Sequence, residues 1–156
     1  MHYIEYAIGS TANRGHIVSL EQFVDILMEY GPKEDVFRSV YLYDDSIVSH
    51  VNNGGRIKDF YGPRYIDTIP IDIDKGDDTH ENVRRRAASI CGKLVNDGLD
   101  EFNFYVCYSG TGYHIHIAPE VFGFYPNVGD KELPYKIKST IQSYFGGEAD
   151  SAIYTY

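Results

Sequence analysis

The pattern of apolar and polar positions along the chain predicts strands and helices in alternation. Alternating or continuous apolar runs predict the strands, which are 2–8, 36–43, 65–74, 102–108, 113–118 and 149–156. Apolar residues that recur every three to four positions between a capping residue and a glycine predict the helices, which are 20–30, 79–97 and 133–145. Between these elements, Asp44 and Asp45 are expected to form a turn, and residues 51–64 a hairpin or an irregular connection.

The order of elements from residue 65 onward is β-α-β-β-α-β. This is the split βαβ arrangement, an antiparallel sheet that carries two helices on one face and leaves the other face open. The sequence therefore predicts the α+β class. We expect a single domain over 1–156, in which residues 1–64 form an N-terminal α/β extension and residues 65–156 form the core.

Composition and charge narrow the function classes. A hydrophobic content of 43% and a charged content of 24% are typical of a globular domain. Cys91 and Cys107 are too few for a disulfide framework or a zinc knuckle, and neither a signal peptide nor a membrane span is visible, so we expect a cytoplasmic protein without a membrane partner. A net charge of −9 argues against binding nucleic acid through the overall field.

The segment 69–78 carries the first candidate chemistry. Isoleucines at 69, 71 and 73 should point to one face of a strand, and Asp72 and Asp74 together to the other. Two carboxylates about 7 Å apart repel each other unless a cation lies between them. Oxygen ligands suit Mg²⁺ or Mn²⁺. The alternative interpretation is an exposed strand end with two solvated acids.

The hairpin over 102–118 carries the second group of candidate site residues. Its turn is Ser109-Gly110-Thr111-Gly112, and in the strand that follows, isoleucines alternate with His114 and His116. If the isoleucines cover the helices, both histidines face the open side together with the acid pair. In the split βαβ order the acidic strand is central, between the hairpin and the final strand. The alternative for these segments is structural: a tight turn, and histidines that bind no ligand. The basic cluster Arg84-Arg85-Arg86 is expected to be a solvated helix face, because three consecutive positions span most of a helical turn and cannot all face one ligand.

Three segments together resemble the motifs of the archaeo-eukaryotic primase superfamily. They are Ile71-Asp72-Ile73-Asp74, Ser109-Gly110-Thr111-Gly112-Tyr113-His114 and Ala149-Asp150-Ser151-Ala152-Ile153-Tyr154. In that family they form a hydrophobic strand with two aspartates, a glycine-rich hairpin that ends in histidine, and a late strand with aspartate. The resemblance extends over 36–156 and implies an RRM-like sheet with an added α/β unit.

The resemblance also implies a function and a set of site residues. The chain would be a nucleotidyltransferase that makes or extends primers on single-stranded DNA in replication. Two divalent ions, Mg²⁺ or Mn²⁺ and not zinc, would be held by the catalytic carboxylates Asp72, Asp74 and Asp150. The triphosphate of an incoming NTP or dNTP would be held by Ser109, Gly110, Thr111, Gly112 and His114, with His116 as a possible secondary residue.

The chain departs from that family in three respects. It ends soon after Asp150, it has no Cys/His cluster for a zinc stem, and it is acidic where a template would bind. We therefore expect residues 1–156 to be the N-terminal part of a longer protein, such as one from a phage, another virus or a plasmid. A fused or associated helicase or template-binding domain would then supply template affinity, which should be weak in this chain alone. The alternative is a reduced member with little activity by itself.

Two other functions fit part of the pattern. His114-Ile115-His116 is also the His-hydrophobic-His metal site of HUH rolling-circle endonucleases, and Tyr135 and Tyr144 lie on the downstream helix where those enzymes carry a nucleophile. A non-catalytic RRM-like module could instead bind single strands through aromatic side chains. The acid pair and the glycine turn favour the primase, and the net charge works against the module.

Overall fold

The computed structural model describes residues 1–154 and has an α+β fold. The described residues form four α-helices and seven strands in two antiparallel sheets, together with short 3₁₀ turns. The helices are α1 (Leu20–Tyr30), α2 (Asp45–Asn52), α3 (His80–Asn96) and α4 (Leu133–Phe145). The strands are β1 (Tyr3–Ile8), β2 (His16–Ser19), β3 (Val36–Tyr43), β4 (Arg64–Tyr65), β5 (Ile69–Ile73), β6 (Phe104–Tyr108) and β7 (Tyr113–Ile117).

The described residues divide into two compact units. The first contains residues 1–65 and 127–133, and the second contains residues 66–126 and 134–154. None of the helices within 1–154 is both long enough and apolar enough to cross a bilayer.

In the first unit, four strands pair in the order β2-β1-β3-β4. The core beside this sheet contains Ile4, Phe23 and Leu42. Helix α1 begins at the predicted capping box: the Ser19 hydroxyl accepts a hydrogen bond from the Gln22 amide, and the Gln22 side chain accepts one from the Ser19 amide. The prediction of this helix and of its start is therefore confirmed.

In the second unit, three strands pair in the order β5-β7-β6. The isoleucines of β5 and β7 are buried, and so is the predicted apolar stripe of α3, which consists of Val83, Ala87, Ile90 and Leu94. Thr79 caps α3, and Gly98 follows the helix with a φ of 92°, a backbone conformation that favours glycine. The predicted hairpin and the predicted bounds of α4 are also confirmed.

The prediction of a turn at Asp44 and Asp45 is wrong. The Asp44 side chain accepts a hydrogen bond of 2.9 Å from the Ser46 amide and caps α2, which buries Ile47. Aspartate favours both turns and helix N-caps, so this residue pair alone does not distinguish them.

The predicted strand 65–74 is two strands in two different sheets. Arg64 and Tyr65 pair with β3, whereas Ile69 to Ile73 pair with β7. Residues 66–68, between the two strands, pair with neither β3 nor β7. The apolar pattern of the sequence runs through 65–74 without a break, but the first unit ends at residue 65 and the strand partner changes there.

The predicted final strand is also wrong over 149–154. Residues Ala152–Tyr154 form a 3₁₀ turn instead, because the Asp150 carboxylate accepts a hydrogen bond of 2.8 Å from the Ala152 amide. Such a local bond competes with strand pairing. Thr155 and Tyr156, the rest of that prediction, lie outside the described residues. Within residues 1–154, β5 therefore has β7 as its one strand partner and is not central.

Candidate functional site

The open face of the β5-β7-β6 sheet brings the predicted site residues into two adjacent rows. Residues directly opposite each other in antiparallel strands share a face of the sheet. Asp72 is opposite His114, and His114 is opposite Cys107. In the next row, His116 lies between Pro70 and Tyr105. Because the isoleucines between these positions are buried, both rows lie on the face away from the core.

Asp72 and His114 form the central pair of this face. Nε2 of His114 lies 3.3 Å from Oδ1 of Asp72, and the two side chains are 43% and 27% exposed. The same Oδ1 atom is shielded from solvent and has no hydrogen-bond partner of good geometry. The contact is therefore an ion-pair distance rather than a directed hydrogen bond, and Oδ1 keeps the capacity to bind a further donor or a cation.

The pKa of Asp72 indicates which other charges lie nearby. Burial raises it most, the negative charge of Asp74 raises it next, His114 lowers it, and the charge of Asp150 raises it again. Two of the predicted carboxylates are thus close enough to disfavour ionisation of Asp72. The acid pair of one segment and Asp150 of a distant one are therefore electrostatically coupled at Asp72.

Asp74 lies one residue beyond β5 and is held through its backbone. Nη2 of Arg86 donates a hydrogen bond of 2.6 Å to the Asp74 carbonyl oxygen, and Nε of Arg86 is 4.0 Å from the Asp78 carboxylate. The basic segment 84–86 was predicted to be a solvated face. That holds for Arg84 and Arg85, which pair with Glu81 at 3.0 and 3.6 Å.

Arg86 is the residue of this site that sequence reasoning missed. The signal was present in the helical period, because Arg86 is three residues after Val83 and four before Ile90, both of which are buried. A side chain in that phase lies at the edge of the face turned toward the sheet. Its bond to Asp74 links the first turns of α3 to the end of the acidic strand.

Asp150 occupies a turn rather than the predicted strand. It follows the 3₁₀ turn Gly146–Glu148 and its carboxylate is exposed, with one oxygen engaged by the Ala152 amide. Nearby, the buried Tyr154 donates a hydrogen bond from its hydroxyl to the Pro70 carbonyl oxygen of β5. This bond anchors the turn that carries Asp150 to the strand that carries Asp72.

The glycine-rich turn, residues 109–112, joins β6 to β7. The Ser109 amide donates to the Gly112 carbonyl, and the Gly112 amide donates to the Ser109 hydroxyl, both at 3.0 Å. Gly110 has a φ of 95°, and a Cβ on Gly112 would collide with the Ile73 carbonyl oxygen. The backbone of the turn therefore requires glycine at both positions, whether or not a ligand binds there. The amides of Gly110 and Thr111 have no intramolecular acceptor within residues 1–154 and remain available to a ligand.

His116 is engaged differently from His114. Its ring stacks on the ring of Tyr105, with centroids 4.8 Å apart and an interplanar angle of 11°. The rings of His114 and His116 are 6.2 Å apart and nearly perpendicular. His114 faces the acids, and His116 belongs to an aromatic pair in the next row.

Of the two tyrosines on α4, one is poorly suited to be a nucleophile. The Tyr144 hydroxyl donates to the Asp97 carboxylate, and burial together with that carboxylate raises the pKa of Tyr144 to about 12. Its ring packs against Phe122 and Phe145. Tyr135 is exposed.

The carboxylate oxygens of the site suit a hard divalent cation, but the side chains that carry them are not yet positioned around one point. Carboxylate oxygens suit Mg²⁺ or Mn²⁺, and the unbonded Oδ1 of Asp72 is a suitable first ligand. Within residues 1–154, no group of three or more His, Cys, Asp or Glu side chains is arranged to hold a metal ion as it stands. A cation would therefore have to draw the carboxylates of Asp74 and Asp150 toward Asp72.

No family model, curated protein or solved structure matched this chain. The function of the chain is therefore inferred from its motifs and from the geometry of the residues around Asp72.

Asp72→Asn should increase the free energy of unfolding at pH 8, measured by urea denaturation in EDTA. In the folded state the raised pKa of Asp72 favours its protonated form, so this group favours folding below its unfolded pKa and loses that contribution as pH rises through its folded pKa. The advantage of the variant should therefore shrink as the pH is lowered from the raised pKa of Asp72 toward the pKa of an ordinary aspartate, and it should be absent below that. Asp77→Asn, an exposed acid in the following turn, is the control. An equal gain for both variants would contradict this electrostatic account.

Proposed function

We propose that this chain is a metal-dependent nucleotidyltransferase of the primase-polymerase type. It would join the hydroxyl of a primer or first nucleotide to the α-phosphate of an NTP or dNTP on a single-stranded DNA template, with release of pyrophosphate. The observation that carries the proposal is the direct pairing of Asp72 with His114 on adjacent strands, beside the turn 109–112. Acids, an imidazole and free amides are then within one small area.

The carboxylates would bind the divalent ions. Asp72, Asp74 and Asp150 would hold Mg²⁺ or Mn²⁺, which when bound neutralise phosphate charge and activate the attacking hydroxyl. Phosphoryl transfer depends mainly on positioning and charge neutralisation. The raised pKa of Asp72, caused by burial and by the neighbouring acids, is the expected property of a carboxylate that awaits a cation.

The hairpin residues would hold the triphosphate. The free amides of Gly110 and Thr111 can donate to phosphate oxygens at the turn. His114 presents Nε2 to Asp72, which leaves Nδ1 for a phosphate oxygen.

We also propose that the second unit has an RRM-like core. In an RRM-like sheet the first strand pairs with the third, and the third with the second, which is the order of β5, β7 and β6. This order supports an RRM-like core of three strands, in which the turn that carries Asp150 stands in place of a fourth strand over 149–154. We further propose that the protein acts in the cytoplasm on nucleotides and single-stranded DNA.

Asp72→Asn and Asp74→Asn should each lower nucleotide incorporation by at least about a hundredfold, because each removes a metal ligand. The measurement is extension of a labelled primer on single-stranded DNA with Mn²⁺ and either NTPs or dNTPs. Asp77→Asn, which removes one charge from the same segment, should retain activity. Incorporation by the double Asp72→Asn, Asp74→Asn variant would defeat the proposal, and binding of single-stranded DNA without incorporation would favour the non-catalytic module.

One observation favours the HUH endonuclease as a second candidate. His114 and His116 are on the same face of one strand, as that metal site requires. Against it, His116 stacks on Tyr105, and Tyr144 is bound to Asp97 with a raised pKa. Tyr135 would then have to be the nucleophile.

His114→Ala should weaken nucleotide binding about tenfold or more, and His116→Ala much less, because only His114 adjoins the acid pair. The measurement is calorimetric titration of a non-hydrolysable nucleotide with Mn²⁺. Equal losses for the two variants, accompanied by cleavage of single-stranded DNA and a covalent adduct that Tyr135→Phe abolishes, would transfer the assignment to the endonuclease.

Arg86→Ala should weaken Mn²⁺ affinity by about tenfold, since a hydrogen bond from a charged donor is worth about 1.5 kcal/mol or more. Its bond to the Asp74 carbonyl holds the strand end that carries the Asp74 carboxylate. Arg85→Ala is the matched control: it removes the same charge from the same helical turn but breaks only a pair with Glu81. Mn²⁺ binding is followed by electron paramagnetic resonance, and equal effects of the two substitutions would show that charge alone, not position, matters.

A further inference from the structure

Strand β6 lies at an edge of the second-unit sheet and is unusually unprotected. It pairs with β7 through Phe104 to Tyr108 in continuous register, without a bulge. Among residues 1–154, no strand pairs with its other side. Natural edge strands are usually blunted by charges, proline or bulges, because an open edge can pair with another chain.

The backbone groups on the outer side can be identified from the register. The bonds Ala118 N to Asn103 O and Ser109 N to Gly112 O show that odd-numbered residues of the strand bond to β7. The amides and carbonyls of Phe104, Val106 and Tyr108 therefore point outward. The Phe104 amide is satisfied by the Asp100 carbonyl at 3.3 Å. The backbone groups of Val106 and Tyr108 have no acceptor or donor within the described residues.

The side chains of this strand are apolar and exposed on both faces. Tyr105 is 56% exposed, Val106 is 45% exposed and Tyr108 is 60% exposed. The segment 102–110 contains no charged residue, although the chain carries a net charge of −9. Strand β6 is therefore a neutral, apolar edge on an acidic protein.

We propose that β6 is a dimer interface, where a second copy of this chain pairs antiparallel to it about a two-fold axis at Val106. In that register each Val106 faces its counterpart in the partner, Phe104 faces Tyr108, and Tyr105 faces Cys107. All three pairs are apolar or aromatic combinations of the kind that stabilise sheets. The outward backbone groups of Val106 and Tyr108 then gain hydrogen-bond partners.

The charge distribution favours a second copy over another occupant. Two copies that each carry a charge of −9 repel each other over most of their surface. The neutral edge is where they can approach with the least repulsion. A basic partner would find no acidic side chain on this strand to bind. Self-pairing uses the same edge in both copies, so the assembly closes as a dimer and leaves no edge for further growth.

The proposed dimer joins the two three-stranded sheets into one of six strands. The open faces of both copies lie on the same side, and the two β5 strands are five strand spacings apart, roughly 24 Å. Two candidate sites would therefore share one continuous surface. The interface does not depend on the proposed function, since it involves neither the acids nor His114.

Sedimentation equilibrium across a range of concentrations tests the interface. The wild-type chain should approach twice its mass of 17.7 kDa. Val106→Lys should raise the dissociation constant about tenfold or more, because two ammonium groups would face each other at the axis. Val95→Lys, at a 56% exposed valine on α3, should change it by less than about twofold. A monomer at all concentrations, open-ended oligomers, or equal effects of the two substitutions would overturn the proposal.

Disulfide formation tests the register separately. Val106→Cys in a Cys91→Ser, Cys107→Ser background should form a dimer on mild oxidation, since directly opposed Cα atoms about 5.5 Å apart permit a disulfide. Cys107, kept alone by Cys91→Ser, should not, because the offset places its two copies roughly 8 Å apart. Crosslinking through Cys107 but not through Val106→Cys would refute the register at Val106.

Discussion

The register between β5 and β7 is the constraint on which the rest of the site depends. It buries Ile69, Ile71 and Ile73 together with Ile115 and Ile117 and thereby places Asp72 and His114 on the opposite face. A slip of one residue would exchange the two faces and drive a carboxylate and an imidazole into the core. The hydrophobic burial of five isoleucines therefore sets the position of the polar pair. The chemistry of the site follows from the packing beneath it.

The same packing concentrates negative charge without a compensating cation among the described contacts. Asp72 is partly buried, and the charges of Asp74 and Asp150 raise its pKa further. His114 offsets only part of this effect. Arg86 lies close, but its shortest contact is with the Asp74 carbonyl rather than with the carboxylates. The arrangement stores electrostatic repulsion that a divalent ion would relieve, and this is the physical basis of the proposed metal site.

The two edge strands of the second-unit sheet, β5 and β6, differ in how far other residues cover them. At β5, the Tyr154 hydroxyl bonds to the Pro70 carbonyl, so the chain segment that carries Asp150 lies against this strand. At β6, aromatic and aliphatic side chains remain exposed on both faces, and no charged residue protects the strand. One edge thus contributes to the candidate site, and the other is open to association. Both properties arise from the small number of strands that the described chain supplies to this sheet.

The sequence by itself determined the elements whose signals are local. The isoleucine alternation predicted the face that carries Asp72, the Ser19 and Gln22 pair predicted the start of α1, and the helical period predicted the buried stripe of α3. These signals depend on period and on capping, which neighbouring residues set. Only the tertiary structure decided which strand pairs with which. It divided the apolar run at 65–74 between two sheets, kept Asp150 in a turn stabilised by the Ala152 amide, and brought Arg86 to Asp74. The reason is that periodicity reports which face of an element is buried, whereas the partner that buries it comes from a distant part of the chain.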